Sequence, residues 1–364
     1  MGATTIVALI CWVLSGKFLE LPRLMFTDVI VFIAMALLLL LVAGVFYSPV
    51  DTSEALSSLK KYRELLLFAM AVSYLRGKRE KAALAGNFFL SGSILLLLIS
   101  YTMYSGLIPT EKYGYSTVYH ITHSFFMAIL SFWALQRFLI GNGYRLLWAI
   151  LFLATVINLF YIAPGRTGML IFIALLGLTV FQHLSLKQSV VGLLICAAVV
   201  TATFYSSHNF SNRVNEAVSE VQNYHPGKSR TSLGMRFDWW HNCITLISQK
   251  PIFGHGTGSF EAVQAKLIKG TKTKGSDNPH NEFLFIAVQV GLVGMGLYTL
   301  LLLSVFLMAL KKMPPGNYLL QGVAVTMFFG CLMNSFLYDS HQGHFFTIIT
   351  AVLLHSYPNR VTSS

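Results

Sequence analysis

The sequence predicts an all-α fold, a polytopic membrane bundle of about eleven to twelve transmembrane helices with one large loop that itself contains helices. Three observations predict it. Of the 364 residues 55% are hydrophobic and only 11% charged, whereas soluble domains carry about 25% charged residues. Apolar runs approaching the roughly 20 residues that a spanning helix needs recur along nearly the whole chain. Lysine and arginine gather in short stretches between those runs, as they do where they set membrane topology.

Taken in order, the apolar runs place spans near residues 3–16, 27–48, 63–75, 83–104, 119–138, 146–163, 166–184, 188–206, 282–310, 317–337 and 345–357. The chain therefore divides into N-terminal spans over 1–207, a large loop over 208–279 and C-terminal spans over 280–364. Arg76-Gly77-Lys78-Arg79-Glu80-Lys81 is densely basic and is expected in the cytoplasm, with Arg137 and Arg145 flanking a second such loop and Lys311-Lys312 a third. Counting spans from any of these puts the large loop on the extracytoplasmic face. The same count puts 105–118, Pro164-Gly165-Arg166 and Asp339-Ser340-His341-Gln342-Gly343-His344 on that face, although only the basic loops entered it. It also predicts an external N-terminus.

Inside the loop, Ser232 is placed to cap a helix from about Leu233 to Gln249, with Pro251 as its stop. Gly254-His255-Gly256-Thr257-Gly258 reads as a flexible turn. It lacks the Lys-Ser/Thr of a phosphate-binding P-loop.

The net charge is +12. No basic run interleaved with aromatics accompanies it, so nucleic acid is not an expected partner; membrane lipids are. Cys11, Cys196, Cys243 and Cys331 show no CxxC or Cys/His ligand spacing, which indicates neither a zinc site nor a disulfide framework. Asp339, His341 and His344 match no standard metal spacing, so no metal and no other cofactor is expected. Dinucleotide fingerprints and βαβ alternation are missing. Only 14 acidic residues are present, with no pair placed to hold a metal-bound nucleotide sugar. A donor already carried by a lipid and activated by diphosphate fits better.

Three residues stand out as catalytic candidates. Arg166 follows Pro164-Gly165 at the edge of an apolar run, where a guanidinium is costly unless it snorkels or grips an anion. A phosphate would accept two parallel hydrogen bonds from it. Arg236 lies near the start of the loop helix, where a cation is disfavoured unless an anion joins it; pairing with Asp238 is the bland alternative. His280 lies in Asn278-Pro279-His280-Asn281-Glu282, where the loop re-enters the membrane. Imidazole exchanges protons near neutral pH, so His280 is a candidate base, although a lone histidine is more often structural. Asp339 is expected to orient His280 or an arginine, or to bind an acceptor sugar. His120 and His123 stand near the outer end of another span, where packing is the simpler role.

These residues resemble those of the bacterial O-antigen ligases, in the superfamily they share with O-antigen polymerases and protein O-oligosaccharyltransferases. Pro164-Gly165-Arg166-Thr167-Gly168 is similar to that family's arginine at the outer end of a span. Ser232-Leu233-Gly234-Met235-Arg236 before Trp239-Trp240 resembles its loop arginine, Pro251-Ile252-Phe253-Gly254-His255-Gly256 its proline–glycine turn, and His280-Asn281 its histidine. The family has about twelve spans with the N-terminus inside, so this sequence is expected to begin at the second.

The resemblance implies a metal-independent, inverting glycosyltransferase of the bacterial inner membrane with a periplasmic active site. It would move O-antigen polysaccharide from undecaprenyl diphosphate to lipid A–core oligosaccharide. An O-antigen polymerase and a protein O-oligosaccharyltransferase are the alternatives; a lipid-glycan transporter is a more distant one. His280, Arg166 and Arg236 would be the catalytic group. Arg166, Arg236, Asn281, Asp339 and Gly254 would be the substrate-binding group.

Overall fold

The computed structural model describes residues 2–110, 112–141, 143–228 and 230–359. The helices are α1 (Gly2–Leu14), α2 (Leu21–Thr27), α3 (Val29–Val45), α4 (Thr52–Leu59), α5 (Glu64–Leu75), α6 (Arg79–Tyr104), α7 (His120–Ile140) and α8 (Arg145–Ile157). They continue with α9 (Arg166–His183), α10 (Leu186–Ser206), α11 (His208–Gln222), α12 (Ser232–Gln249), α13 (Phe260–Leu267), α14 (Glu282–Ala309), α15 (Gly316–Met333) and α16 (Ser340–Ser356). No strand occurs among the described residues. The chain is all-α, as its composition requires.

A helix stands at each of the eleven expected spans. Among the described residues seven helices are long and apolar enough to cross a membrane: α6, α7, α8 with its extension to Ile162, α9, α10, α14 and α15. An eighth arises if the pair Thr5–Leu14 and Lys17–Thr27, bent by 79°, counts as one span. The apolar helix α5 has only 12 residues, roughly 18 Å at 1.5 Å per residue and too short for a bilayer core. Right-handed backbone through Lys60–Arg63 joins it to α4, so one helical path runs from Thr52 to Leu75.

The chain forms two compact units that each draw on separate stretches of sequence. One comprises Met1–Ala83, Asn223–Met308 and Cys331–Ser356; the other comprises Leu84–Gln222, Ala309–Gly330 and the stretch from Tyr357.

In the first unit the loop helices are not an appendage. Cys243 and Leu246 of α12, Phe260 and Val263 of α13, and Phe285 and Val288 of α14 form one buried cluster. Burial there pushes the Cys243 thiol pKa far up, which keeps it protonated and unreactive. Helix α12 is capped by Thr231, one residue earlier than expected, whose Oγ1 accepts from Gly234 N at 3.3 Å.

Helix α14 is broken at Val290 and Gly291, where φ turns to +73° at the glycine. The break leaves backbone groups without helical partners, and the Pro251–Thr257 segment supplies them. His255 N and Gly256 N donate to the carbonyls of Val288 and Gln289 at 2.8 Å each, while Leu292 N donates to Pro251 O at 2.8 Å. Thr257 N then reaches Gly44 O of α3 at 3.0 Å. Irregular backbone at membrane depth survives only where protein satisfies it in this way. A Cβ on Gly254 would lie 2.6 Å from the Gln289 carbonyl carbon, and one on Gly291 1.9 Å from Ile252 O. The glycines therefore permit two backbones to touch. Gly254, expected at the substrate, is instead buried against the break.

In the second unit, polar side chains lock apolar helices together. His123 is fully buried, with Nδ1 at 2.9 Å from Ser116 Oγ and Nε2 at 2.8 Å from Asn158 Oδ1, and Asn158 Nδ2 donates to Ser100 Oγ. His123 thus has the packing role. Asn158 opens a π-helical turn, Asn158–Ile162. Gly165 and Gly168 let α9 press on α7: a Cβ on either would lie within 2.5 Å of Ser124 atoms.

Candidate active site

The histidine is placed by a short, heavily braced segment. Pro279 leads into His280, which adopts a left-handed backbone at φ +53°, uncommon for a residue with a side chain. Asn278 stabilises that turn: its Oδ1 accepts from His280 N and from Ser335 Oγ, both at 2.8 Å. Two adjacent indoles of α12 hold the same stretch. Trp239 Nε1 donates to Lys274 O at 2.8 Å and Trp240 Nε1 to Pro279 O at 2.9 Å. The Trp239 ring also lies against the imidazole, with centroids 5.6 Å apart. Asn281 caps α14, accepting from Leu284 N at 3.1 Å, while its Nδ2 donates to Leu332 O at 3.2 Å.

Among the described residues, neither ring nitrogen of His280 has a hydrogen-bond partner. Burial first, and the charge of Arg236 after it, lower its pKa to about 4, with Asp277 acting in the opposite sense. The imidazole is therefore neutral at pH 7 and able to accept a proton. The Arg236 charge thus acts on the His280 imidazole.

Glu282, two residues beyond the histidine, was not singled out in the sequence. It is fully buried and ties the start of α14 to the turn before α16. Its Oε2 accepts from Leu337 N at 2.8 Å and Tyr338 N at 3.1 Å, and its Oε1 from Tyr62 OH at 3.4 Å. An acid directly after His280-Asn281, at the head of an apolar run, was the signal available.

Asp339 follows that turn. Desolvation pushes its pKa up to about 6, against the opposing charge of Lys61. Its side chain keeps an exposed edge while the carboxylate is crowded by protein atoms. Among the described residues no hydrogen bond joins it to His280, so the expected orienting role is not what its contacts show. Lys61 lies 4.2 Å above the Tyr338 ring. Lys61, Asp277 and Tyr338 border a cavity of about 150 Å³ on this side of the unit. No group of three or more His, Cys, Asp or Glu able to hold a metal occurs among the described residues. His344 Nδ1 bonds instead to the Ser340 carbonyl and lies 3.2 Å from Glu64 Oε1.

Arg166 belongs to the second unit, where it is the first residue of α9. A cation at that position opposes the helix dipole. Two carboxylates one turn apart on α11 offset this, Glu216 at 2.9 Å and Glu220 at 2.8 Å. Arg166 is the main cause that holds the exposed Glu216 carboxyl below its ordinary pKa. Both pairs use Nη2. Nε and Nη1 remain without a protein partner among the described residues, and the side chain is 29% exposed. The carboxylates therefore fix the guanidinium while its remaining donors stay available for a bidentate contact with phosphate. Neither Glu216 nor Glu220 was identified from sequence. Their i,i+4 spacing in a chain so poor in acids was the missed signal.

Residues 149–299 match the sequence model of the O-antigen ligase family. The matched span contains Arg166, Arg236, the Pro251–Gly258 turn and His280. An uncharacterized protein of Haemophilus influenzae is 30% identical over 138 residues, which make up 36% of this chain and 35% of that protein. The chain thus spans about a third of the length of this relative. Over residues 149–299 the chain is therefore similar to the O-antigen ligase family, and its apolar helices are those of a multi-pass membrane protein.

Proposed function

We propose that this protein transfers a glycan from a polyprenyl diphosphate to a saccharide acceptor at the extracytoplasmic face of the bacterial inner membrane. The donor would be O-antigen polysaccharide on undecaprenyl diphosphate and the acceptor lipid A–core oligosaccharide. The observation that carries the proposal is a braced, neutral His280 whose ring nitrogens have no hydrogen-bond partner among the described residues.

In this mechanism His280 takes the proton of the acceptor hydroxyl as that oxygen attacks the anomeric carbon from the face opposite the diphosphate. The new C–O bond forms as the bond to the diphosphate oxygen breaks, which inverts the centre. The diphosphate departs on its lipid with the electron pair. Arg236 neutralises the charge that builds on the leaving group, the kind of contact whose loss costs on the order of 10²–10³ in rate; Arg166 is a further candidate contact for phosphate. Donor binding beside Arg236 also offsets its charge at His280, so the base strengthens once its substrate is present. Asn281, Asp339 and Lys61 would bind the acceptor sugar.

Purified protein given a lipid-linked donor tests this reading, with lipid A–core, a second lipid-linked repeat and a serine-containing protein supplied separately. His280→Asn, a residue that tolerates the left-handed backbone but has no base, should lower turnover by about 10²–10⁴. Near-normal turnover in that variant would sink the assignment. Product formed only with the lipid-linked repeat, or only with protein, would replace the acceptor.

A further inference from the structure

Helix α12 has a second working face. Asp238, His241 and Asn242 stand at i, i+3 and i+4 on one side, roughly 120–160° round the helix from Arg236. That side forms one wall of a cleft of about 590 Å³. Tyr224, Gly227 and Lys228 form the second wall, and Thr271, Lys272 and Thr273 the third. All three lie within the first compact unit.

The cleft is built rather than incidental. The buried Asp238 carboxylate accepts from Tyr224 OH at 2.8 Å and from Gly227 N at 2.9 Å, which fixes the second wall on α12. Trp239 fixes the third through Lys274 O, and Arg230 donates to Lys272 O at 3.3 Å. The two loops meet at Gly227, where a Cβ would lie 3.2 Å from Thr273 Oγ1.

Two features point to a ligand. Asn242 is only 8% exposed, and its side-chain nitrogen has no hydrogen-bond partner. Natively folded proteins seldom leave such a donor unused. The charge balance is the other feature. Asp238 spends its carboxylate inside the wall, while Lys228, Lys272 and His241 stand exposed around the opening. What remains is a cationic rim over a floor of mostly carbon surface, in which amide, threonine and phenol groups are set.

We propose that this cleft is a saccharide subsite that selects sugars bearing an anionic group, with Lys228 and Lys272 on the phosphate or carboxylate and Asn242 on a sugar oxygen. The inference rests on the glycan-transfer reading and extends it to substrate recognition. Because the cleft and Arg236 lie on nearly opposite faces of one helix, the bound sugar is not the one that reacts. It is a unit further along the donor or the acceptor, held at a fixed offset of roughly one helix diameter, 10–12 Å.

The test uses full-length protein in detergent with glucose 6-phosphate, glucose and inorganic phosphate as probes, followed by saturation-transfer NMR and calorimetry. Glucose 6-phosphate should bind better than either other probe. K228E/K272E, two exposed changes, should weaken it about tenfold or more. Asn242→Asp should weaken it too, with helical circular dichroism retained. Equal binding of glucose 6-phosphate and phosphate, or no loss in K228E/K272E, overturns the subsite. In transfer assays, a raised KM for donor alone or acceptor alone in K228E/K272E assigns the anionic sugar to that substrate. Unchanged KM for both overturns the proposal while glycan transfer stands. A protein that binds glucose 6-phosphate through Lys228 and Lys272 but transfers no glycan would overturn the functional reading and leave the subsite.

Discussion

Trp240 holds the residue that presents His280: its indole nitrogen donates to the Pro279 carbonyl across 2.9 Å. The bond couples the loop helix to the re-entry segment at the point where the backbone turns left-handed. Trp240→Phe keeps an aromatic ring but removes the N–H donor with the five-membered ring that carries it. Loss of the hydrogen bond should cost about 0.5–1.5 kcal/mol of stability, with lost packing added to it, and lower kcat more than it raises KM. Thermal unfolding and steady-state kinetics on the same preparation check both. An unaltered kcat would separate the brace from catalysis.

The acid side of the pH profile should depend on whether donor is bound. In free protein the His280 pKa is about 4, with Arg236 among its causes. The profile of kcat/KM, which reports the free enzyme, should therefore hold until pH falls towards 4. Donor diphosphate offsets Arg236 and favours the imidazolium, so the acid limb of kcat should lie at higher pH. Arg236→Gln removes a lowering influence and should shift the limb of kcat/KM upwards. A downward shift would show that Arg236 does not act on His280 in this way.

Arg166 offers a way to separate charge from geometry. Arg166→Lys preserves the cation but cannot keep both carboxylates and a bidentate phosphate contact. The donor KM should rise about tenfold or more, with acceptor KM unchanged. Full activity in the lysine variant would make Arg166 a simple counter-charge to Glu216 and Glu220.

Gly291→Ala probes the broken helix. The added Cβ would meet Ile252 O at 1.9 Å, on a backbone already at φ +73°. The expected loss is about 1–3 kcal/mol, read as a lower melting temperature and faster proteolysis within 250–260. Wild-type melting would mean that the loop does not depend on this junction.

How far the sequence reveals the structure follows from what each feature requires. The spans are legible because a bilayer demands long apolar runs, and few other structures do. Helix α12 is legible because a hydroxyl cap and Pro251 bracket it. Helix α11 is not, although Phe210, Val214 and Val218 recur at helical spacing, because a long polar stretch directs attention away from periodicity. His280 and Arg236 are legible as candidates, since both are chemically conspicuous at the rim of one loop. The roles of Asn278, Trp240 and Glu282 are not. They work through main-chain groups of distant segments, which leave no pattern in the local sequence. The turn at Gly254 shows the same limit: glycine reports that backbones come close without saying to what.

The seating of Pro251–Thr257 in the break of α14 also constrains synthesis. The ribosome makes the turn about thirty residues before the groups at 288–293 that receive it. Until α14 arrives, those amides and carbonyls have only water or lipid headgroups as partners. Folding of the loop and insertion of the following span are therefore one assembly event. A chain stalled or truncated between 260 and 290 would leave the translocon with its loop unmoored, a natural substrate for membrane quality-control proteases.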